Sequence, residues 1–180
     1  MALPWIAASF KPKIIFLVRH PAAVAASHFK LGWHNVSLEN RMPADLWSRK
    51  SQYSVNADFW TQHGHFQAET LQIALEALAN YPDHRLVTYE DLCANPIGLF
   101  QDLYDWAGLP WTESVVRKIH EKSSSAKSKP KDIENAFETN RRSSEMISSW
   151  HRELSEEQID HVRDSYLAHN VMLYPPQDWS

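Results

Sequence analysis

Arg19 and Ser27 are the two residues whose types and spacing best suit the binding of a phosphate group. Arg19 directly follows the run KIIFLV at residues 13–18, which predicts a strand buried on both faces. Ligands of open α/β folds bind at the carboxyl ends of strands, where the next helix presents its N-terminus. A guanidinium is always charged and offers a fork of donors that matches a phosphate. Ser27 follows about two helical turns later, and its hydroxyl could reach the same anion. The alternative makes Arg19 a surface cation and Ser27 a small packing residue.

Other reactive side chains form weaker patterns. His63 and His65 flank a glycine, but no third ligand stands at a spacing typical of a metal site, so the sequence predicts no metal. Cys93 has no signature of a nucleophile and is predicted to lie in the core. Because it is the only cysteine, an internal disulfide is excluded and a reducing compartment is favoured.

The overall composition is that of an ordinary soluble protein. The chain has 180 residues, of which 43% are hydrophobic and 22% charged, with a net charge of -4. This length predicts one domain with a real core. No apolar run approaches the ~18 residues that could span a membrane, and the first ten residues lack the regions of a signal peptide, so a cytoplasmic location is expected. The negative charge argues against nucleic acid as a partner.

Positive charge is nevertheless concentrated in one segment. Residues 117–152 contain nine of the 18 Lys and Arg but only five acidic residues. Two interpretations of this segment stay open: it is either a solvated, mobile loop or a basic lid over an anionic ligand. Because the Ser- and Lys-rich stretch that starts at residue 122 has no apolar period, a mobile basic loop is predicted near residues 122–145.

The elements that must position these residues alternate between strands and helices. Strands are predicted at residues 13–18 and 85–88, and helices at residues 22–31 and 66–80. Three further helices are predicted from their first residues: Asn95 with Pro96, Thr112, and Ser155 with Gln158 in a capping box. Residues 38–65 are irregular and predict short helices and loops. Buried strands that alternate with helices imply a parallel α/β sheet, and two strands alone make a poor one.

The segment KIIFLVRHPAAVAAS at residues 13–27 resembles the 3′-phosphate-binding segment of the sulfotransferase family. That family has an apolar strand, then Arg, a polar residue, Pro, and a Ser eight positions after the Arg. The resemblance implies that Arg19 and Ser27 hold the 3′-phosphate of 3′-phosphoadenosine 5′-phosphosulfate. His20 stands where the family usually has Asp or Asn, a departure that is not expected to affect the phosphate contact.

A second segment, RLVTYEDL at residues 85–92 with the helix that ends at GLP, residues 108–110, is similar to another part of the same family. The resemblance implies that Tyr89 packs near the adenine. Glu90 and Asp91 are better explained as acids at a helix start, where they meet the helix dipole.

A third segment resembles the family's C-terminal loop, which closes over the 3′-phosphate. It runs from Arg141 and Arg142 to the residues after Trp150. The resemblance implies a phosphate contact for Arg142 and, as a weaker candidate, Arg141. Glycines common in the family are absent here, and the spacing to Trp150 differs.

Together the resemblances span residues 13–174 and imply a fold and an activity. The fold would be α/β and helix-dominated, with a P-loop-NTPase-like parallel sheet and flanking helices, and residues 1–180 would form one sulfotransferase-like domain. The activity would move a sulfuryl group from 3′-phosphoadenosine 5′-phosphosulfate to a hydroxyl or amine of a small-molecule, lipid or carbohydrate acceptor. The family's 5′-phosphosulfate loop and its general base lie upstream of these segments. We therefore expect an N-terminally truncated chain with little or no catalysis and an unassigned catalytic residue.

Two other classes of protein stay open. A nucleotide kinase needs a Gly-x-x-x-x-Gly-Lys-Ser/Thr loop and an acid for magnesium, and neither is visible. A non-catalytic nucleotide-binding or interaction domain could have kept only the 3′-phosphate half. A preference for a nucleotide with a 3′-phosphate over ATP with magnesium would indicate a sulfotransferase and not a nucleotide kinase.

Overall fold

The computed structural model describes residues 3–33, 57–124 and 147–180. In these ranges the protein is a helix-dominated α/β structure with a small parallel sheet. The elements in chain order are α1 (Leu3–Phe10), β1 (Ile14–Val18), α2 (Pro21–Lys30), α3 (Phe59–Leu78), β2 (His84–Thr88), α4 (Tyr89–Ala94), α5 (Pro96–Ala107), α6 (Glu113–Ser124) and α7 (Glu156–Leu167). Two short 3-10 turns, Ser149–Arg152 and Pro176–Trp179, flank α7.

The chain divides into two compact units. The first unit consists of Met1–Ile14, His20–His84 and Trp150–Ser180. The second unit consists of Ile15–Arg19 and Arg85–Ser149. Both units are therefore discontinuous in sequence, and each is described separately.

Helices α2, α3 and α7 pack against one another to form the core of the first unit, and α1 packs on α3. Small residues line the buried face of α2, which allows close packing against its neighbours. Buried apolar residues of the three helices include Ala22, Ala26, Ala68, Leu71, Ala74, Leu78, Val162 and Tyr166. The predicted inner face of α7, Ile159, Val162 and Tyr166, is confirmed.

Gly64 lies where α3 comes into close contact with α7, next to Ser165. A Cβ atom added to Gly64 would lie 2.0 Å from Ser165 Oγ and 2.3 Å from the backbone oxygen of Val162. Both distances are far below van der Waals contact, so only a glycine fits here without a shift of the helices.

Local capping groups start both of these helices. Asp58 Oδ1 accepts hydrogen bonds from the backbone N–H groups of Trp60 (2.9 Å) and Thr61 (3.2 Å) at the start of α3. Ser155 Oγ accepts from the Gln158 N–H at 3.3 Å, and Gln158 Oε1 accepts from the Ser155 N–H at 2.9 Å. The predicted capping box of α7 is confirmed.

The second unit contains most of the sheet and helices α4 to α6. Asn95 Oδ1 accepts from the Gly98 N–H at 3.1 Å, so the predicted start of α5 is confirmed. This helix ends at Gly108, whose φ of 74° lies in the left-handed region that glycine adopts without strain. Thr112 Oγ1 accepts from the Val115 N–H at 3.4 Å and begins α6 as predicted.

The prediction that β1 is buried on both faces is wrong. Its side chains alternate, and Ile15 and Leu17 are 49% and 52% exposed. Within the described residues the sheet contains only β1 and β2. A continuous apolar run is typical of a strand covered on both faces, but in the described structure one face of β1 stays open.

Several predicted boundaries also differ from the structure. Helix α1 was not predicted, and α3 begins at Phe59 within the stretch that was predicted to be irregular. Helix α6 continues to Ser124, three residues into the segment that was predicted to be a loop. The rest of the predicted basic loop and most of the predicted irregular stretch lie outside the described residues.

Candidate functional site

Arg19 and Tyr89 lie against each other in the second unit. Arg19 directly follows β1, and Tyr89 is the first residue of α4, directly after β2. The Arg19 guanidinium carbon lies 4.6 Å from the centroid of the Tyr89 ring. This is a cation–π arrangement, in which the positive charge faces the electron-rich face of the ring. The structure thus brings together two of the predicted site residues.

The electrostatic surroundings keep the Tyr89 hydroxyl neutral. Burial raises the pKa of Tyr89 to about 12, and a side-chain hydrogen bond with Cys93 raises it further, whereas the positive charge of Arg19 opposes the shift. Cys93 is 7% exposed and lies in the core as predicted. Tyr89 therefore presents Arg19 with an uncharged ring over the whole physiological pH range.

The residues around Tyr89 form a regular helix start. Thr88 Oγ1 accepts from the Asp91 N–H at 3.0 Å, and its hydroxyl donates to Asp91 Oδ2 at 2.7 Å. Glu90 and Asp91 occupy the first turn of α4, where a negative charge stabilises the helix dipole. Their predicted role as acids at a helix start is confirmed.

Ser27 lies on α2 in the first unit and is exposed to solvent. The buried face of this helix is made instead by alanines, including Ala25 and Ala26 on the N-terminal side of Ser27. The alternative that Ser27 is a small packing residue is therefore wrong. An exposed position is compatible with a phosphate contact.

His20 is the structural feature of this region that sequence reasoning missed. It is only 3% exposed, and its Nδ1 accepts the backbone N–H of Ala22 at 3.3 Å, so that it caps the start of α2. The imidazole stacks on the Trp150 ring, with centroids 4.5 Å apart and an angle of 6° between the planes. Tyr174 and Trp179 contact it edge-on at 5.0 Å and 4.4 Å. The one available sequence signal was a polar residue directly before a proline at a helix start.

Two pairs of histidines join elements of the first unit. His63 Nε2 lies 2.9 Å from His28 Nδ1, and His65 Nδ1 lies 3.0 Å from His169 Nε2. Burial and the neighbouring His169 lower the pKa of His65 to about 4, and burial lowers the pKa of His169. In the part of the chain that the structure describes, no group of three or more His, Cys, Asp or Glu side chains could hold a metal ion.

Two of the predicted phosphate contacts, Arg141 and Arg142, lie outside the described residues. Within the described ranges, no helix combines the length and the apolar character needed to cross a membrane.

Comparison with known proteins identifies a family. Carbohydrate sulfotransferase 3 of Tetronarce californica is 29% identical to this protein in an alignment of 145 residues that covers 77% of this chain and 30% of the relative. The chain thus spans about 30% of the length of this curated relative. No solved structure matches it. The sulfotransferase domain family matches residues 2–171, which is most of the chain, and the protein therefore belongs to the sulfotransferase family.

Proposed function

We propose that this protein binds 3′-phosphoadenosine 5′-phosphosulfate as the donor in sulfuryl transfer to a hydroxyl or amine acceptor. Family membership supports sulfuryl transfer in general, and sulfotransferases generally use this donor. A carbohydrate hydroxyl is the favoured acceptor, because the curated relative is named a carbohydrate sulfotransferase. We also propose a P-loop-NTPase-like arrangement of the sheet, which membership of the sulfotransferase family supports.

The contact between Arg19 and Tyr89 is the observation that carries this proposal. Stacking on an aromatic ring uses the face of a guanidinium, whereas its N–H donors point outward in its plane. At the observed distance of 4.6 Å, a guanidinium that faces the ring would keep its edge donors for a phosphate. A neutral aromatic ring beside this cation also offers a surface on which a purine base can stack. A cation with an adjacent ring suits a phosphorylated adenosine.

The proposed role of these residues is to bind and orient the donor. Arg19 and the exposed Ser27 would hold the 3′-phosphate and so position the sulfur for in-line attack by the acceptor. Interactions that fix a remote part of a substrate increase the rate when they align the reacting atoms. No residue is assigned as the general base.

Calorimetry with two nucleotides tests the donor. Adenosine 3′,5′-bisphosphate should bind more tightly than 5′-AMP, and Arg19→Ala should remove this preference. Hydrogen bonds to a charged group contribute about 1.5–3 kcal/mol, so the expected loss is roughly tenfold to a hundredfold. Arg163→Ala is the matched control, because it removes the same charge from a side chain that pairs with Asp160 and Asp164 on α7.

Tyr89→Leu gives a second, distinct signature. This variant should reduce the affinity for both nucleotides by a similar factor, because both contain the adenine that would contact the ring. Equal affinities of the folded wild-type protein for the two nucleotides would contradict the proposal. Selective binding without any turnover in the presence of donor and acceptor would instead identify a nucleotide-binding domain without catalysis.

A further inference from the structure

His20 lies in an aromatic cluster that holds its imidazole ring in one orientation. Trp150 covers one face of the ring, and Tyr174 and Trp179 contact it edge-on. Trp179 is itself anchored, because its Nε1–H donates to the backbone oxygen of Tyr174 at 3.1 Å. All three of these aromatic residues are at most 5% exposed. The orientation of the imidazole is therefore set by side chains from the C-terminal part of the first unit.

This fixed ring supplies the cap of α2. The Ala22 N–H donates to His20 Nδ1, so this nitrogen carries no proton while the cap is formed. Asn, Asp, Ser and Thr are the usual capping residues, and their side chains are short and attached close to the backbone. The imidazole rotates about two side-chain bonds, as Asn and Asp do, and the aromatic cluster restricts that rotation.

The position of this cap in the chain links it to the donor site proposed above, on which the following inference rests. His20 directly follows Arg19, and α2 leads from His20 to Ser27. The conformation of the turn at His20 therefore determines how α2, and with it Ser27, is presented to an anion. A turn that is already ordered in the free protein does not have to be ordered when the ligand binds.

We propose that His20 is a positioning residue for 3′-phosphate binding. The C-terminal residues Trp150, Tyr174 and Trp179 act on that binding indirectly, because they orient the His20 imidazole. His20 does not contact the ligand in this proposal. It keeps the first turn of α2 formed, and the C-terminal rings keep the capping nitrogen directed at that turn.

Two substitutions separate the cap from the ring contacts. His20→Phe keeps an aromatic ring in the cluster but has no acceptor for the Ala22 N–H. His20→Asn keeps a capping acceptor but loses the stacking on Trp150. Tyr166→Phe is the matched control: it removes a buried hydroxyl from a ring that contacts Tyr174 and Trp179.

The readout is the ratio of the affinities for adenosine 3′,5′-bisphosphate and 5′-AMP, measured by calorimetry beside the thermal unfolding midpoint. His20→Phe should reduce the ratio by about fivefold, which corresponds to the equilibrium effect of a lost helix cap. His20→Asn should keep the ratio within about twofold of wild type even if its unfolding midpoint falls. Tyr166→Phe should leave the ratio unchanged.

A purely structural role for His20 would lower the unfolding midpoint without changing the ratio, and that result in His20→Phe would overturn the inference. If His20→Phe does not fold, Trp179→Phe provides the test. It keeps an aromatic ring but loses the bond to the Tyr174 backbone, so it should lower the ratio, and an unchanged ratio would again overturn the inference. If the wild-type protein does not prefer adenosine 3′,5′-bisphosphate over 5′-AMP, the proposed donor is refuted and this inference with it. If the wild-type protein shows the preference and His20→Phe and Trp179→Phe both retain it, the inference alone is refuted.

Discussion

Replacing Gly64 by alanine should destabilise the protein, although the same change stabilises an unobstructed helix. Alanine in a helix interior is favoured over glycine by about 1 kcal/mol. At this position, however, the added Cβ would lie 2.3 Å from the Val162 backbone oxygen and 2.0 Å from Ser165 Oγ. A normal contact needs about 1 Å more, so α3 and α7 must move apart. Because one of the two clashing atoms belongs to the backbone, the overpacking cost should lie near the upper end of the usual range, at about 3 kcal/mol, which leaves a net loss of roughly 2 kcal/mol.

Thermal unfolding followed by circular dichroism measures this loss. For a chain of this length, 1 kcal/mol shifts the midpoint by about 2–4 °C, so Gly64→Ala should unfold roughly 4–8 °C below wild type. The double variant with Ser165→Ala should recover only part of the loss, because it removes the nearest atom but leaves the Val162 oxygen. The interaction energy of this pair follows from a double-mutant cycle.

Gly32→Ala is the control that separates crowding from backbone strain. Gly32 has a φ of 74°. Apart from its chain neighbours, no atom of the described residues lies within 4 Å of the position that a Cβ would take, so among these residues only the backbone conformation opposes a side chain. The expected loss is about 1–2 kcal/mol. A Gly64→Ala protein at least as stable as wild type would refute the close contact of α3 and α7.

Three further predictions concern pH, capping and thiol accessibility. Because the pKa of His65 is lowered from 6.5 to about 4 and that of His169 is also lowered, the unfolded state binds more protons than the folded state below about pH 6.5. The free energy of unfolding in urea should therefore decrease as the pH is lowered from 6.5 to 4, and His169→Gln should make this decrease smaller. An equally steep decrease in the variant would show that the pair of His65 and His169 is not its cause. Asp58→Ala should cost about 1–2 kcal/mol in thermal unfolding through loss of the α3 cap, while Asp58→Asn, which keeps an acceptor, should stay close to wild type. The buried Cys93 thiol should react slowly with a disulfide reagent until denaturant is added, and rapid reaction of the native protein would show that its burial is wrong.

Helix boundaries were predictable where the determining contacts are local. Asn95, Gly108 and Ser155 act on groups close to themselves in the chain, so their effect can be deduced from sequence. Helix α1 was missed because its eight residues are mostly apolar and include no charged residue, so no polar face marks the segment as a helix. The early start of α3 was missed because its cap, Asp58, lies in a stretch of mixed aromatic and polar residues.

The residues of the site could likewise be identified from the sequence, whereas their long-range contacts could not. Arg19 and Tyr89 were identified by resemblance, but their contact joins the ends of two strands and follows only from the formed sheet. The aromatic cluster at His20 could not be predicted, because Trp150 and Trp179 lie far away in the chain. Aromatic rings that meet through tertiary packing have no characteristic spacing in sequence. The exposure of Ile15 likewise depends on which elements cover the strand and not on the strand itself.

The discontinuity of the first unit has a consequence for protein synthesis. Its third part, Trp150–Ser180, contains α7, which covers α3 at Gly64. Translation proceeds at about 5–20 residues per second, so α3 emerges from the ribosome several seconds before its partner helix exists. All parts of the second unit, in contrast, have been made before Trp150 is reached. The second unit can therefore fold while the chain is growing, whereas the apolar face of α3 stays uncovered until α7 has been made and is open to aggregation until then.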